Sequence, residues 1–420
     1  MFRRITTIVL CTAAVTACTD DSAPSVVAPS ASIDASTASP IFQQYVAMGT
    51  SITMGTQSDG TLAASQKQSW ATQLSRRGGR SLTLPLITGF GCRAPFKAPL
   101  SSGLRISGEP VTTPTANLLC GRLDEGITLP TRNVAIAGAT TQDALRTTPQ
   151  TQPDPFYRKL YALVLPPNTT QLVAMRQQNP KLVSVEFGAN EVLPAVSGVA
   201  IPGATIVPFT VWAPLYNALV DSVDMIANKG LLVGLIHDVA TFPGMRNGNE
   251  IWSDRAMLLA AFNVAVSSDC NASANLSFVP VRVPTAVAIG LANRSQGLPP
   301  YPFSCADLGF GIADYVLTPS EAAIVNSAMA QMNAEVINVA VQRGFAHFEL
   351  EALYGRPDLK PIFSSVSLMT SNQPYGPFIS LDGIHPNAAG HSILTDAAVQ
   401  ALNATYNLGI PGASSFIASR

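Results

Sequence analysis

The feature that most constrains this chain is a series of five short apolar runs, each ending in turn residues and separated from the next by amphipathic segments. They lie at residues 45–48, 133–137, 182–187, 231–236 and 345–350. Runs of this length rich in Val, Ile and Phe are typical of buried parallel strands, and the segments between them are typical of crossover helices. The sequence therefore predicts an α/β fold with a central parallel sheet.

Two helices are predicted from apolar periodicity. The clearer one covers residues 319–343, and Thr318 or Ser320 is expected to cap it. A second helix is expected over residues 388–406. Both lie in the last quarter of the chain, where they flank the fifth predicted strand.

Four long stretches rich in Pro and Gly interrupt this pattern. Because they exceed ordinary connections, we expect them to be insertions that shape a binding surface on one compact domain, covering residues 42–420. The sequence contains no internal repeat. The stretches are 82–131, 194–212, 268–317 and 354–377.

Residues 1–17 have the basic start and short apolar centre of an export signal. The apolar run is too short to span a bilayer permanently. It ends in Val-Thr-Ala-Cys18, which resembles the lipobox of bacterial lipoproteins. That resemblance implies cleavage before Cys18 and an anchor of several acyl chains on it, which would hold the protein to a membrane. The alternative is an ordinary secretory signal cut at a nearby small residue; both predict export.

Residues 18–41 are expected to be a tether, because they are almost all Ser, Ala, Thr, Pro, Val and Asp and have no periodicity. Over the whole chain, charged residues make up 12% of the composition and the formal net charge is −1. An average soluble domain has roughly 25% charged residues. This composition argues against a nucleic-acid partner.

Four cysteines remain after Cys11 in the signal and Cys18 at its end. An even number in an exported protein predicts disulfides, and three pairings are possible. We favour the two pairs that each bracket a Gly/Pro-rich stretch. A zinc site is the alternative, but no close Cys-x-x-Cys or Cys/His spacing favours it. The favoured pairs are Cys92 with Cys120 and Cys270 with Cys305.

Three of the apolar runs end in residues that acyl-transfer chemistry uses. The first leads through a glycine turn to Ser51, where a serine would lie at the carboxyl end of a strand. The second ends at Gly138, whose backbone N–H could approach a substrate oxygen, and the third ends near Asn190, whose amide could donate to an oxyanion. Each has a structural alternative: a serine that caps a helix, a plain turn, and an Asn that caps a helix or forms a loop.

A fourth segment carries a candidate base. Asp382 stands three residues before His385, close enough in a tight turn for its carboxylate to orient the ring and leave Nε2 free. Pro386 is expected to open the following helix. The other histidines, His237, His347 and His391, are expected to be structural, with His237 as a reserve candidate for the base.

These four segments, in this order, resemble the conserved blocks of SGNH (GDSL-like) hydrolases: a nucleophile block, a later glycine, a G-x-N-D block and a D-x-x-H-P block. The resemblance covers the chain from about residue 47 to residue 391 and is strongest at Asp382-Gly383-Ile384-His385-Pro386. It implies a flavodoxin-like three-layer α/β/α fold and hydrolysis of carboxylic esters of lipid, acylated-glycan or small-molecule type. It also implies that no metal or organic cofactor takes part.

The resemblance also implies residue roles. Ser51 would be the nucleophile and a backbone donor to the oxyanion, with Gly138 and Asn190 as the other donors. His385 would be the general base and acid, and Asp382 would orient it.

Two residues depart from the family pattern: Thr50 stands where the family usually has Asp, and Glu191 stands where it has the Asp after Asn190. We expect altered positioning of the nucleophile and a slower enzyme. Two alternatives follow. One is a catalytically idle surface lipoprotein that binds glycan or a partner, and the other is a solute-binding lipoprotein, which would not need Asp382 and His385.

Overall fold

The structure is a computed structural model that describes residues 40–114, 118–309 and 311–412. The predicted signal, Cys18 and almost all of the predicted tether lie outside the described residues. Within the described ranges, no helix combines the length and the apolarity needed to cross a bilayer.

The described residues form strands and helices in alternation along most of the chain. The strands are β1 (Tyr45–Gly49), β2 (Ile87–Cys92), β3 (Cys120–Leu123), β4 (Leu182–Glu186), β5 (Lys229–Gly234), β6 (Met245–Asn247), β7 (Val264–Val266), β8 (Leu276–Phe278), β9 (Tyr301–Phe303), β10 (Val316–Leu317) and β11 (Ala346–Glu349). The helices are α1 (Ser51–Met54), α2 (Ala63–Gln66), α3 (Trp70–Arg77), α4 (Thr141–Arg146), α5 (Pro155–Val164), α6 (Gln171–Arg176), α7 (Phe209–Asp224), α8 (Gly248–Ser253), α9 (Arg255–Phe262), α10 (Val279–Ser295), α11 (Pro319–Arg343), α12 (Glu351–Tyr354), α13 (Ser365–Thr370) and α14 (Ala388–Tyr406).

The central sheet has four parallel strands in the order β1-β4-β5-β11. Every residue of β1 and β4 is buried, as expected for strands covered on both faces. These four strands confirm four of the five predicted ones. The α/β class with a central parallel sheet is therefore confirmed.

The fifth predicted strand, 133–137, is only partly correct. The N–H groups of Val134 and Ile136 donate to carbonyl oxygens of β1 at 2.9 and 3.1 Å, so the segment runs beside β1 on the side away from β4. It is not a regular strand, because on the side away from β1 a backbone N–H is taken up by a neighbouring side chain. Asn133 Oδ1 accepts the N–H of Ala135 at 3.0 Å. The segment is an irregular edge of the sheet.

Two groups of helices pack on this sheet. α3 and α14 contact one another, and α14 contacts β5 and β11. α7 and α11 contact one another, and both contact β5. The bounds predicted for α11 and α14 are confirmed, and Thr318 is the cap of α11: its side chain accepts the N–H of Glu321 in a capping box.

One of the Pro/Gly-rich insertions contains a helix that the sequence did not predict. α10 lies within residues 268–317 and has 17 residues. Pro280 is tolerated in its first turn, where N–H groups have no helical acceptor, but Pro284 lies inside the helix and hid the pattern. The predicted pairings Cys92–Cys120, which joins β2 to β3, and Cys270–Cys305 are both confirmed.

The register of the sheet aligns the carboxyl ends of its strands along one edge. Gly49 pairs with Glu186, which pairs in turn with Val233, and Gly234 pairs with Glu349. After β1 the chain passes to segment 133–137 on one side and then to β4 on the other. Open α/β sheets bind ligands where connections diverge in this way. Ser51 lies at this point, two residues after the end of β1.

Candidate active site

Ser51, His385 and Asp382 form one chain of hydrogen bonds at this edge. Ser51 Oγ lies 2.9 Å from His385 Nε2, and His385 Nδ1 lies 2.8 Å from Asp382 Oδ2. The side chains of His385 and Asp382 are 14% and 8% exposed, so the ring is shielded yet still reachable. The arrangement can move a proton from a serine hydroxyl to an imidazole whose other nitrogen is held by a carboxylate.

The end of β1 places Ser51. The strand stops at Gly49, where a Cβ would lie 2.9 Å from the carbonyl oxygen of Glu186, so a glycine is needed for the turn. Thr50 is the N-cap residue, and Ser51 is the first residue of the short helix α1. The hydroxyl of Ser51 therefore leaves the sheet at its carboxyl edge.

A tight turn places the acid and the base together, as predicted. Asp382 Oδ1 accepts the N–H groups of Ile384 at 2.9 Å and of His385 at 2.8 Å, which leaves Oδ2 for the ring. The helix after the turn has the predicted bounds, but Pro386 does not open it. Pro386 precedes it, and Asn387 is the cap, because the Asn387 side chain accepts the first free N–H groups of α14.

The charges of the pair stabilise one another. Burial opposes the ionisation of Asp382, but the positive charge of His385 and hydrogen bonds from the ring and the backbone lower its pKa. Burial alone would lower the pKa of His385, yet the charge of Asp382 and its hydrogen bond raise it. His385 is thus a stronger base than an ordinary buried histidine.

Sequence reasoning missed Asp59, which supports Asp382 from a different loop. The N–H of Asp59 donates to Asp382 Oδ2 at 2.6 Å. The Asp59 carboxylate bonds to Arg93 at 3.0 Å and to Arg105 at 2.7 Å. The only sequence signal was the Ser-Asp-Gly turn at residues 58–60, which has no feature that distinguishes it from an ordinary turn.

Glu186 was also missed, and it accounts for Thr50. Thr50 Oγ1 donates to the Glu186 carboxyl group at 2.7 Å, and its N–H donates to the same group at 2.9 Å. The N–H of Thr53 adds a third bond at 3.3 Å. Burial raises the pKa of Glu186 in spite of these donors. Thr50 therefore has a hydrogen-bond acceptor of its own, a carboxyl group on the neighbouring strand.

Gly138 and Asn190 lie beside Ser51 in one groove. Gly138 has a φ of +79°, and a Cβ there would lie 2.4 Å from the ring of Tyr157, so both the backbone and the space require glycine. The Asn190 amide donates to the carbonyl of Ala139 at 2.8 Å, which uses one of its two hydrogens and leaves the other. Within the described residues, the N–H groups of Ser51 and Gly138 donate to no protein acceptor.

Glu191, the second departure from the family pattern, has a structural contact. Its Oε1 accepts the N–H of Thr141 at 2.7 Å, which ties the Asn190 turn to the start of α4, two residues after Ala139. Burial raises the pKa of Glu191. The longer side chain thus joins the two loops that carry Gly138 and Asn190.

The remaining histidines stay away from Ser51. His391 is fully buried; its Nδ1 accepts the N–H of Trp70 at 3.3 Å, and burial lowers its pKa to about 3. His237 Nε2 lies 3.0 Å from Glu349 Oε2, and His347 is exposed on β11. None of the three bonds to Ser51, so His385 alone occupies the position of a base.

Two pockets meet at Ser51. One extends over β4 and β5 towards α11 and has an almost wholly apolar lining. The other lies over β1 and the 133–137 edge and includes Asp59, Arg93 and Tyr157. The Cys92–Cys120 disulfide fixes the loop that brings Arg93 to this second pocket, and the insertion 194–212 contributes Val196 to the first. The insertion 268–317 contributes no residue to either.

The four cysteines of the described residues are joined in two disulfides, so none of them is free to bind a metal ion. A group of possible ligand atoms, Asp269, Cys270 and Cys305, lies close together in the described part of the chain. Both of its cysteines are joined in a disulfide, which leaves no thiolate for zinc. The zinc alternative is therefore wrong for this pair, and the disulfide prediction holds.

No protein-family model matches the sequence, and no curated protein matches it. Among solved structures, an alpha/beta hydrolase enzyme from the metagenome of Lake Arreo, Spain, is similar at 13% identity with a TM-score of 0.34, over 85% of this chain and 93% of that one. An acetyl xylan esterase from Geobacillus stearothermophilus is similar at 12% identity and a TM-score of 0.33, over 87% and 94%. An extracellular lipase from Streptomyces rimosus is similar at 12% identity and a TM-score of 0.33, over 86% and 98%.

Proposed function

We propose that this protein is a serine hydrolase of carboxylic esters of the SGNH (GDSL-like) type. The observation that carries the proposal is the continuous hydrogen-bonded chain from Ser51 through His385 to Asp382, with Ser51 open to two pockets. A buried acid, a base and a hydroxyl in this order are the parts that activate a serine.

In the first half of the reaction, His385 Nε2 takes the proton of Ser51 as Oγ attacks the carbonyl carbon of the ester. The electron pair displaced onto the carbonyl oxygen is stabilised by the N–H groups of Ser51 and Gly138 and by the free amide hydrogen of Asn190. Collapse of this intermediate breaks the bond to the alcohol, which leaves with the proton from His385. An acyl-serine remains.

In the second half, water attacks the acyl-serine while His385 takes a proton from it. The bond to Ser51 Oγ breaks, the serine regains its proton, and the acid is released. Asp382 stays ionised throughout and stabilises the cationic ring. Every step uses side-chain and backbone groups of this protein and needs no co-reactant other than water.

The sheet favours the flavodoxin-like fold of this family. Counting the 133–137 edge as the second strand, the order of the parallel strands is 2-1-3-4-5, and helices pack on the sheet in two groups. We further propose that the chain is exported and anchored through Cys18, on the resemblance of residues 15–18 to a lipobox. The anchor would hold the hydrolase domain, residues 42–420, at a bacterial envelope membrane.

Hydrolysis of a short-chain aryl ester tests the proposal. The purified protein without its signal is expected to cleave the ester, and Ser51→Ala is expected to abolish cleavage because no nucleophile remains. Ser253→Ala, at an exposed serine of α8, is the matched control. Equal turnover by Ser51→Ala and wild type would refute the assignment.

A fluorophosphonate probe separates this function from the two non-catalytic alternatives. An idle surface lipoprotein or a solute-binding lipoprotein has no activated serine, so it would not react. Labelling that requires both Ser51 and His385 would remove these alternatives. If the probe does not label Ser51, the two alternatives are favoured over the hydrolase.

A further inference from the structure

The pocket on the α11 side of Ser51 is lined by hydrocarbon. Its walls come from the turn after β4, the segment after β5 and α11, and Val325 and Met329 on α11 are each 2% exposed. The polar lining is confined to its mouth beside Ser51 and to the hydroxyl of Tyr354, which donates to the carbonyl of Ile384 at 2.6 Å. The apolar walls include Val192, Val196, Val239, Phe242, Val325 and Met329.

The groove on the other side of Ser51 has the opposite chemistry. Asp59 and Arg93 line it with side chains that are 33% and 27% exposed, so both charged groups reach solvent while they bond to one another. Phe156 and Tyr157 add two aromatic rings to the same wall. The Tyr157 ring covers Gly138, and its hydroxyl makes no hydrogen bond within the described part of the chain.

The two pockets share the residues at which the reaction would take place. Ser51, Asn190, Leu193 and His385 line both of them. An ester carbonyl attacked by Ser51 carries two groups, the acyl chain and the alcohol. With the oxygen of that carbonyl held beside Gly138 and Asn190, these two groups extend into different pockets.

Solvation decides which group each pocket favours. A hydroxylated group placed in the α11-side pocket would lose water and find no donor or acceptor beyond the mouth, whereas an aliphatic chain gains from burial. In the groove, charged and hydroxyl groups with aromatic surfaces can replace the water around a hydroxylated ring.

We propose that the substrate is an ester of an aliphatic acyl group with a hydroxyl-rich alcohol of the sugar type. The acyl chain binds in the α11-side pocket and the alcohol lies in the Asp59–Arg93–Tyr157 groove. This inference rests on the ester hydrolase function proposed above. It specifies both halves of the substrate and the orientation of the ester bond between them.

Matched esters of glucose with acyl chains of two to eight carbons test the acyl pocket. We expect kcat/KM of the wild-type protein to rise by about fourfold for each methylene that the pocket buries. Val325→Phe, which fills the pocket, is expected to lower the hexanoyl-to-acetyl ratio at least tenfold. Met329→Ala, which widens it, is expected to move the preference to longer chains.

Ile324→Phe is the matched control, because Ile324 is the neighbour of Val325 on α11, is 39% exposed and faces a different groove. It adds the same ring without entering the pocket and should leave the ratio unchanged. Thermal unfolding of each variant separates a folding defect from a change in preference. If Val325→Phe does not fold, the opposite shift in Met329→Ala still decides the inference.

A pair of esters with the two halves exchanged tests the orientation. Glucose octanoate carries the aliphatic chain on the acyl side, and octyl gluconate carries it on the alcohol side. We expect the first to be cleaved at least tenfold faster. Tyr157→Phe, which keeps the ring over Gly138, is expected to lower the ratio of glucose-ester to aryl-ester cleavage by about fivefold.

The outcomes distinguish this inference from the function on which it rests. Ser51-dependent cleavage without any chain-length preference, or faster cleavage of octyl gluconate, would overturn the inference and leave the hydrolase intact. Equal effects of Val325→Phe and Ile324→Phe would also overturn it. No Ser51-dependent cleavage of any ester would remove the proposed function and the inference together.

Discussion

Two carboxyl groups are buried beside Ser51, and their pKa values move in opposite directions. Burial opposes the charge of Asp382, but the His385 cation, its ring N–H and two backbone N–H groups lower the pKa of Asp382. Burial also opposes the charge of Glu186, which accepts bonds only from Thr50 and Thr53, and there burial raises the pKa. Both groups have several donors, but only Asp382 is hydrogen-bonded to the His385 ring.

The difference shows that hydrogen bonds from neutral donors alone do not offset the effect of burial on the pKa of a carboxyl group in this site. A neutral donor offsets part of the lost hydration, whereas a cation within hydrogen-bond distance adds a direct attraction that grows in a low dielectric. Asp382 is thus suited to hold a charged imidazole. Glu186 is suited to support the Ser51 turn by accepting hydrogen bonds from Thr50 and Thr53.

The largest expected effect comes from Asp382→Asn. The amide can donate to His385 Nδ1 and so favour the tautomer that places a hydrogen on Nε2, where Ser51 needs an acceptor. We expect kcat on an aryl ester to fall by about 10³–10⁴-fold. Asp358→Asn, at an exposed ion pair with Arg356, is the control. A loss below tenfold would contradict the role given to Asp382.

The pH profile sharpens the same prediction. The base must be neutral to act, so kcat/KM should rise with pH through the pKa of His385. Because Asp382 raises that pKa, the acidic limb of the wild-type profile is expected above the ordinary value of 6.5. In Asp382→Asn burial still lowers the pKa of His385 and the attraction of Asp382 is lost, while the weaker attractions of Asp59 and Glu186 remain. The limb of the residual activity should therefore move to lower pH.

The next effect concerns Thr50→Asp, which restores the usual family residue. It would place a second carboxyl group against Glu186, and we expect a loss of about 1–3 kcal/mol in the free energy of unfolding together with lower kcat. The double variant Thr50→Asp/Glu186→Gln should recover most of the lost free energy of unfolding and of the lost kcat. In that variant only one carboxyl group remains, and the Gln amide can donate to it. Urea unfolding at pH 7 measures the recovery. Additive effects of the two changes would show that the side chains do not interact.

Glu186→Gln alone supplies the control and a second readout. The folded protein holds the Glu186 proton more tightly than the unfolded chain does, because the pKa is raised from 4.5. Wild-type stability should therefore decline as pH rises from about 4.5 through the folded pKa. The Gln variant should lack this decline. An identical pH dependence of the two proteins would contradict the assigned direction.

The smallest effect on activity is expected at His391. Burial, and next the charge of His385, lower its pKa to about 3, so the folded protein excludes a proton that the unfolded chain takes up below about 6.5. Wild-type stability should fall as pH drops from 6.5 towards 3, and His391→Ala should lack this part of the fall. At neutral pH the free energy of unfolding of His391→Ala should be lower than that of wild type by about 1–2 kcal/mol, because the Trp70 N–H loses its acceptor.

Activity separates the two buried histidines. His391→Ala should keep the acidic limb of the pH–rate profile where wild type has it, since only His385 bonds to Ser51. His347→Ala, at an exposed residue of β11, is the control for stability. A shift of the limb in His391→Ala would show that the proton taken by the base is shared between the two rings.

Much of the sheet could be predicted because each strand is a local property of the chain. The runs at β1, β4 and β5 are mostly apolar, as expected for strands covered on both faces, whereas β11 at the edge of the sheet keeps an exposed His347. The run at 133–137 was predicted as a strand like the others but forms only an irregular edge, since the Asn133 side chain accepts the N–H of Ala135 in place of a partner strand. α10 was hidden because Pro280 and Pro284 break the pattern that identifies a helix.

The pairing of Asp382 with His385 could be predicted for the same reason. Three residues in a tight turn fix the distance between the two side chains without any help from the rest of the fold. Both disulfides close loops of moderate length that are rich in Gly and Pro, so their pairing also had a local basis, although the second loop contains α10. Asp59 and Glu186 had no such basis, and neither was identified.

By itself, the sequence determined the four regular strands of the central sheet, the helices α11 and α14, and the turn that joins Asp382 to His385. It also placed Ser51, Gly138 and Asn190 after the ends of apolar runs. Only the tertiary structure decided what surrounds them. Glu186 reaches Thr50 across 136 positions, and Asp59 reaches Asp382 across 323. The two pockets likewise depend on strand register and loop packing. Contacts of this kind arise from the packing of distant segments, which no local spacing encodes.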